Sequence, residues 1–438
     1  METNEGAQTE RNHVLLIPYP SQGHINPMLQ FAKRLAFYGL KPTLAVTRFI
    51  LNTNKPDPGP VGFEPFSDGF DEAGFSQAES ISSYLARLES SGSESLDNIL
   101  LTQRAQGRPF KVIIYDAFLP WALEVGKRRG VPAAAFFTQS CAVNTILCHT
   151  FQGRLSIPFT EPEVLLPGLP GLGPHDLPSF LVDSVDGPYP AYLQLVLNQF
   201  SNLEKADEVF INSFHELEPQ ESEWMKRAWG SKTIGPTVPS KYLDKRVPGD
   251  THYGFNLFNG GDRCREWLDT KPPRSVIYVS FGSMASLGAE AMQELGKGLV
   301  GTGKHFLWVV RGSEKSKVPE ELMNAEKGLV VEWSEQVEVL SHGAVGCFVT
   351  HCGWNSTVEA VGLGVGMVAV PQWTDQPTNG KYVEDIQRCV NEVMEGERSG
   401  EIIRRNADRW RRLAVEAVSE GGSSDQNILG FVAKHFGS

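Results

Sequence analysis

The chain is 438 residues long, 41% hydrophobic and 10% aromatic, which is enough for two α/β domains with cores of their own and too apolar for a disordered protein. A formal charge of −12, from 40 Lys and Arg against 52 Asp and Glu, repels phosphate backbones and excludes nucleic acid and anionic membranes as natural partners. The six cysteines (Cys141, Cys148, Cys264, Cys347, Cys352 and Cys389) make no C-x-x-C pair and no zinc-finger spacing, so they read as free thiols of a reducing compartment.

The opening METNEGAQTERNH has no apolar core of a signal peptide, and no apolar run approaches the roughly 20 residues that span a bilayer. A cytoplasmic protein without a stable membrane anchor is expected. From His13 to Pro20, HVLLIPYP reads as a strand; the loop SQGHINP follows, and MLQFAKRLAFYGL has helical periodicity. Asn26 suits an N-cap with Pro27 at the first helical position, and Gly39 suits the stop. KPTLAVT is the next strand, so the chain opens as a βαβ unit and predicts a parallel sheet. FKVIIYD (Phe110 to Asp116), PAAAFF (Pro132 to Phe137) and EVFINS (Glu208 to Ser213) repeat the grammar, with a Gly/Pro-rich loop from Leu166 to Pro178 between the last two.

Residues 1–240 are thus read as one doubly wound domain, 241–261 as a linker, and 262–438 as a second domain. The second series runs SVIYVSFGS, a helix near Glu290 to Gly301, HFLWVV, GLVVE, AVGCFVTH, a helix from Asn355, and GMVAVPQW. The closing segment, Arg404 to Phe436, reads as helix and is expected to pack back toward the first domain.

Two places hold chemistry-bearing residues. His24 lies just past the first strand and Asp116 just past FKVIIY, so both project into the crevice at the carboxyl ends of a doubly wound sheet. Each also has a plainer reading, as a loop histidine near a helix start and an aspartate in a turn. AVGCFVTH runs into a glycine turn and a helix, where free N–H groups and the helix dipole attract a phosphate. His351, Asn355 and Ser356 add side-chain donors there; alternatively Ser356 and Glu359 form a capping box that needs no ligand.

The stretch from Trp333 to Gln376, with HCGWNS, Glu359 and PQWTDQ at their spacing, resembles the signature box of plant family 1 UDP-glycosyltransferases. SQGHINPMLQFAKRL, FGSMASL and IGPTVPSKYLDKR extend the resemblance over nearly the whole chain. It implies the α/β GT-B fold, two Rossmann-like doubly wound domains facing across a cleft, and transfer of glucose from UDP-glucose to a small apolar acceptor. The acceptors it implies are phenolic, terpenoid or steroid hydroxyls and carboxylates.

By the same resemblance Trp333 stacks on uracil with Gln336 nearby, Ser283, His351, Asn355 and Ser356 hold the diphosphate, and Glu359 binds the ribose. Trp354 belongs to the same donor site. Trp373, Asp375 and Gln376 line the sugar, and a closing Gln376 is similar to family members that prefer glucose to galactose. His24 becomes the base and Asp116 its partner in one inverting displacement. No D-x-D motif occurs, so neither metal nor other cofactor is expected, and the protein is read as a monomer. Tyr19, Phe118, Trp121 and Phe137 are candidates for the acceptor pocket.

The chain departs from the pattern at Glu335 and Gly366, where the family has proline, and after Asp385, where a helix end and a strand or hairpin are lacking. A non-catalytic relative that still binds UDP-sugar is therefore the second reading. A nicotinamide oxidoreductase would need G-x-G-x-x-G after the first strand, where SQGHINP stands.

Overall fold

Short apolar runs alternating with amphipathic helices build two separate parallel sheets. The computed structural model describes residues 12–54, 57, 59–182, 190–254, 263–382 and 397–437, the side chains of 397–404 excepted. Contacts divide the chain into one unit of Met1–Gly171, Phe180–Leu257 and Glu416–Ser438, and a second of Leu172–Ser179 and Phe258–Val415.

The first unit contains β1 (His13–Ile17), β2 (Lys41–Thr47), β3 (Gly62–Phe66), β4 (Val112–Asp116), β5 (Ala133–Phe137), β6 (Glu208–Ile211) and β7 (Lys232–Thr233). Their order is β3-β2-β1-β4-β5-β6-β7, and every pairing is parallel. All residues of β1, β4 and β5 are buried because helices cover both faces, which is why these strands read as unbroken apolar runs. On one face Leu16, Ile114, Phe136 and Phe210 pack against Met28, Phe31 and Leu35 of α1 (Gln22–Phe37), and against Ile428 and Phe431 of the helix Ser423–Phe436. Phe431 meets Phe210 edge-on at 5.1 Å and is fully buried, and burial of such a side chain is worth about 1.5–3 kcal/mol. Three more helices, α2 (Ile81–Ala105), α3 (Pro120–Arg129) and α4 (Cys141–Phe151), follow β3, β4 and β5.

The start of α1 differs from the sequence reading. Ser21 is the N-cap and Pro27 lies inside the helix. The N–H groups of His24 and Ile25 already bond to Ser21 O at 3.0 and 2.9 Å, so the turn opens there, and Asn26 Oδ1, buried, accepts no hydrogen bond. Proline is tolerated so near the N-terminus because it gives up only the bond to Gly23 O. His24 consequently rides on the first helical turn.

The division between the two units, at Leu257 and Phe258, falls within the stretch read as a linker. Its described part, 241–254, is fastened to the first unit by α1: Lys33 Nζ reaches Asp250 Oδ1 at 3.0 Å and His252 O at 2.7 Å, and Arg34 grips both oxygens of Asp244 at 2.8 and 3.0 Å. Arg34 also donates to Val418 O at 3.2 Å. Each of the two ion pairs is at least nine-tenths buried, where removal of one partner costs about 3–5 kcal/mol. The closing helix is two helices, Glu397–Val418 and Ser423–Phe436, parted at Gly421, whose φ is +79°.

The second unit contains β8 (Val276–Ser280), α6 (Ala289–Gly301), β9 (His305–Val309), β10 (Gly328–Val331), α7 (Gln336–Ser341), β11 (Val345–Thr350), α8 (Trp354–Leu363) and β12 (Met367–Ala369), the label α5 falling to Pro219–Trp229 of the first unit. Its sheet order is β10-β9-β8-β11-β12, again all parallel. Val279, Phe306 and Trp308, all but unexposed, centre its core. Gly366 is buried there and its carbonyl accepts Phe348 N–H at 2.9 Å. The junction after Asp385 and Cys389 lie outside the described residues. Among the described residues no helix is long and apolar enough to cross a membrane.

In each sheet the strand order doubles back once, at β1/β4 and at β8/β11. Crossover helices leave to opposite faces at such a point and open a crevice at the carboxyl ends of the two strands.

His13, at the start of β1, is buried, with Nε2 2.8 Å from Thr43 Oγ1 and its ring 4.1 Å from Phe110. Burial pushes its imidazole down from 6.5 to about 4. The unfolded chain takes that proton near pH 6.5 and the folded one only near 4, so the stability it confers is complete above 6.5 and is lost as pH falls through this window, by roughly 3 kcal/mol. Urea unfolding of His13→Gln at pH 7 and pH 4.5 is expected to show a smaller acid loss than the parent; an equal loss contradicts this account.

Candidate functional site

At the reversal of the first sheet, Asp116 is the last residue of β4 and His24 the third of α1. His24 Nδ1 lies 2.6 Å from Asp116 Oδ2, with the carboxylate 1% exposed and the imidazole 16%. Asp116 is itself fixed by backbone: Oδ2 accepts Tyr19 N–H at 3.2 Å and Oδ1 accepts Phe118 N–H at 3.0 Å. Thr138 Oγ1, just past β5, stands 3.2 Å from the same His24 nitrogen. Nδ1 is therefore spoken for, and Nε2 is the nitrogen left to meet a substrate.

The turn that carries Thr138 is anchored by Glu218, whose oxygens accept Cys141 and Ala142 N–H at the start of α4 (3.0 and 2.8 Å). Burial pushes the Glu218 carboxyl up to about 7, although its hydrogen bonds oppose this.

Two of the four aromatic candidates flank His24: Tyr19 at 5.2 Å and Phe118 at 4.7 Å between ring centres. Burial raises the Tyr19 phenol above its usual range, Tyr192 and Asp116 adding to the effect. The other two sit elsewhere. Phe137 is fully buried and packs on Phe200 at 5.6 Å, while Trp121 is 9% exposed with its ring tip against Gly92 of α2. Both belong to the core.

At the reversal of the second sheet, the loop after β8, which carries Gly282 and Ser283, brings Gly282 against His351, which follows β11. Glycine is required here twice. A Cβ on Gly282, whose φ is +69°, would lie 2.9 Å from the His351 ring, and one on Gly353 would lie 2.6 Å from its Nε2. Burial, with Arg311 nearby, pushes His351 down to about 4, so it is neutral at physiological pH. Arg311 Nη1 and Nη2 also bind the carbonyls of Ser283 and Ala285, which ties the loop down. Gly353 is the N-cap of α8, whose free N–H groups and dipole face this corner, with Asn355 half-buried in its first turn and Trp354 buried at its first position.

Ser356 is the third residue of α8, so the capping box with Glu359 does not form. Gln336 connects the two instead: its Nε2 donates to Ser356 Oγ at 2.9 Å and to Glu359 Oε2 at 2.7 Å. Tyr278 of β8 completes the chain, its hydroxyl 2.9 Å from Ser334 Oγ and 3.5 Å from Gln336 Oε1. Trp333, half-buried, precedes this network, and Glu335 is the half-buried N-cap of α7. Burial raises the Glu335 carboxyl, helped by Glu338.

The segment 372–379, a turn that runs into a helix from Gln376, is held from several sides. Gln376 Oε1 accepts the N–H groups of Gln372 and Trp373 at 2.8 and 3.1 Å. Asn379 Nδ2 donates to Asp375 Oδ2 at 2.6 Å and to Cys352 O at 3.0 Å. Trp373 packs on the core of the second unit. Thr138 and Arg311 were legible by the strand-end rule that found Asp116; Tyr278 and Asn379 carry no sequence signal.

Residues 261–399 match the family model described as UDP-glucoronosyl and UDP-glucosyl transferase. UDP-glycosyltransferase 74F2 of Arabidopsis thaliana is 48% identical, over 97% of this chain and 98% of that protein. Crocetin glucosyltransferase 2 of Crocus sativus is also 48% identical, over 96% of both. Among solved structures, Os79 from O. sativa in complex with UDP superposes with a TM-score of 0.89 at 44% identity, covering 96% of this chain and all of that one. Os79 in complex with U2F and trichothecene gives 0.86 at 42% identity over the same shares.

Gly353→Ala should destabilise the second unit by about 1–3 kcal/mol through its collision with His351. Gly343→Ala, where nothing lies within 4 Å, should stay within about 0.5 kcal/mol of the parent. Equal costs in urea unfolding would contradict the packing described.

Proposed function

The chain belongs to the plant family 1 UDP-glycosyltransferases and is a UDP-dependent glycosyltransferase of GT-B fold, and from that premise we propose that it glucosylates a small apolar acceptor by inversion, with His24 as base. The observation that carries the proposal is the 2.6 Å contact between His24 Nδ1 and Asp116 Oδ2. It fixes the tautomer with Nε2 as acceptor and stabilises the imidazolium that forms.

In the proposed step the acceptor oxygen bonds to the anomeric carbon of glucose as the bond from that carbon to the UDP oxygen breaks. The acceptor's proton passes to His24 Nε2, and the electron pair of the broken bond leaves with UDP. An unpaired imidazole could take the proton, but the imidazolium would lack its counter-charge.

The second unit binds the donor. The N-terminus of α8, His351, Ser283, Asn355 and Ser356 hold the diphosphate and meet the charge that develops on it, so the reaction needs no divalent cation. Trp333 stacks on the base and Glu359 receives the ribose hydroxyls. Because the Gln336 amide is engaged with Ser356 and Glu359, its part is to orient Glu359. Trp373, Asp375 and Gln376 take the sugar. Gln376 Oε1 is occupied by the turn, so its NH2 is the group offered to a glucose hydroxyl.

On the acceptor side Tyr19 and Phe118 beside His24 favour a flat or fused-ring apolar molecule bearing a hydroxyl or carboxyl. Relatives named for crocetin and crystallised with a trichothecene support that class.

His24→Ala should lower the transfer rate by about 10²–10⁴-fold while leaving the Kd for UDP within two-fold, measured by product formation and calorimetry. Loss of UDP affinity alongside activity would make the histidine structural.

A further inference from the structure

Thr374 sits between Trp373 and Asp375, the two residues proposed to line the sugar, and its φ is +56°. A β-branched residue does not rest in that left-handed region unaided, since its Cβ crowds the backbone. The hold comes from almost two hundred positions earlier in the sequence. Ser179 Oγ accepts Thr374 N–H at 2.8 Å, and Ser179 N–H donates to Thr374 O at 2.9 Å. Both polar groups of the Thr374 backbone are thus taken by one residue. Next to this pair, Thr378 Oγ1 donates to Asp176 O at 2.7 Å. These bonds explain why Leu172–Ser179 groups with the second unit although the chain on either side groups with the first.

We propose that Ser179 is a positioning residue for the transferred sugar: it pins Thr374 in its left-handed conformation so that Trp373 and Asp375 present their side chains to the hexose. The inference rests on the reading of this loop as the sugar site. Gln376 and Asn379 fix the two flanks from nearby in the sequence, and Ser179 fixes the crest. The nucleotide groups lie on other elements: Trp333 before α7, Gln336 on α7, Ser283 after β8, His351 after β11, and Asn355, Ser356 and Glu359 on α8. Loosening the crest therefore touches recognition of glucose and leaves recognition of UDP alone, a separation that a general loss of stability would not produce.

The test compares UDP-glucose and UDP binding by calorimetry in the full chain, with unfolding followed in parallel. Ser179→Ala removes the acceptor for Thr374 N–H and is expected to weaken UDP-glucose about five-fold, the effect of one ordinary hydrogen bond, while UDP affinity stays within two-fold. Ser179→Thr keeps the hydroxyl and should bind as the parent does. Adding Thr374→Asn to Ser179→Ala should restore most of the UDP-glucose affinity, because asparagine tolerates the left-handed region. An unchanged ratio of the two affinities in Ser179→Ala, an equal loss of both ligands, or a double variant no better than the single one overturns the inference. Parent protein that binds UDP but shows no affinity for UDP-glucose would instead overturn the reading of the site as a glucose-transfer site.

Discussion

A parallel sheet whose strand order reverses must send its crossover helices to opposite faces, and the carboxyl ends of the two strands at the reversal cannot then be covered by either helix. This chain meets that constraint twice, at β1/β4 and at β8/β11, and polar side chains collect at both places. Asp116 ends, and His24 and Thr138 follow, three strands that are neighbours in the first sheet; Ser283 and His351 follow two that are neighbours in the second. The apolar strands, buried on both faces, hold these ends still. The side chains need only short excursions to meet.

Electrostatics then decides what each corner can do. In the first unit a carboxylate almost without solvent contact is held by two backbone N–H groups and turned toward an imidazole, an arrangement suited to accepting a proton at the ring's far nitrogen. In the second, burial keeps His351 neutral beside a helix N-terminus, so the corner offers donors and a positive potential without a charged side chain to shed a proton. The protein carries a net charge of −12, so anion recognition depends on this local field rather than on the global one.

Most of the strands could be read from sequence because doubly buried strands are unbroken apolar runs; KPTLAVT and β2 coincide residue for residue. Asn-Pro is a strong local signal for a helix start at Asn26, whereas the turn is already opened by N–H contacts to the Ser21 carbonyl that no side chain announces. The capping box at Ser356 failed for a related reason: S-x-x-E has the right spacing, but Gly353 starts the helix three residues earlier. Phe137 and Trp121 lie near the carboxyl ends of β5 and β4, but both faces of β5 are covered, so Phe137 is buried whichever way it points. Contacts such as Tyr278 to Gln336, Asn379 to Cys352 and Ser179 to Thr374 join residues far apart in sequence and leave no periodicity to detect. They come from the fold alone.

The central claim is a single displacement at the anomeric carbon with His24 taking the proton. Its most direct test is the configuration of the product formed from UDP-glucose, whose sugar is α-linked. The parent protein is incubated with a panel of phenols, terpenoid alcohols and carboxylic acids, and the glucoside is identified by mass spectrometry and its anomeric proton coupling by NMR. The account predicts a β-glucoside with one UDP released per sugar transferred; an α-glucoside, or UDP released with no glucoside from any acceptor, would contradict it.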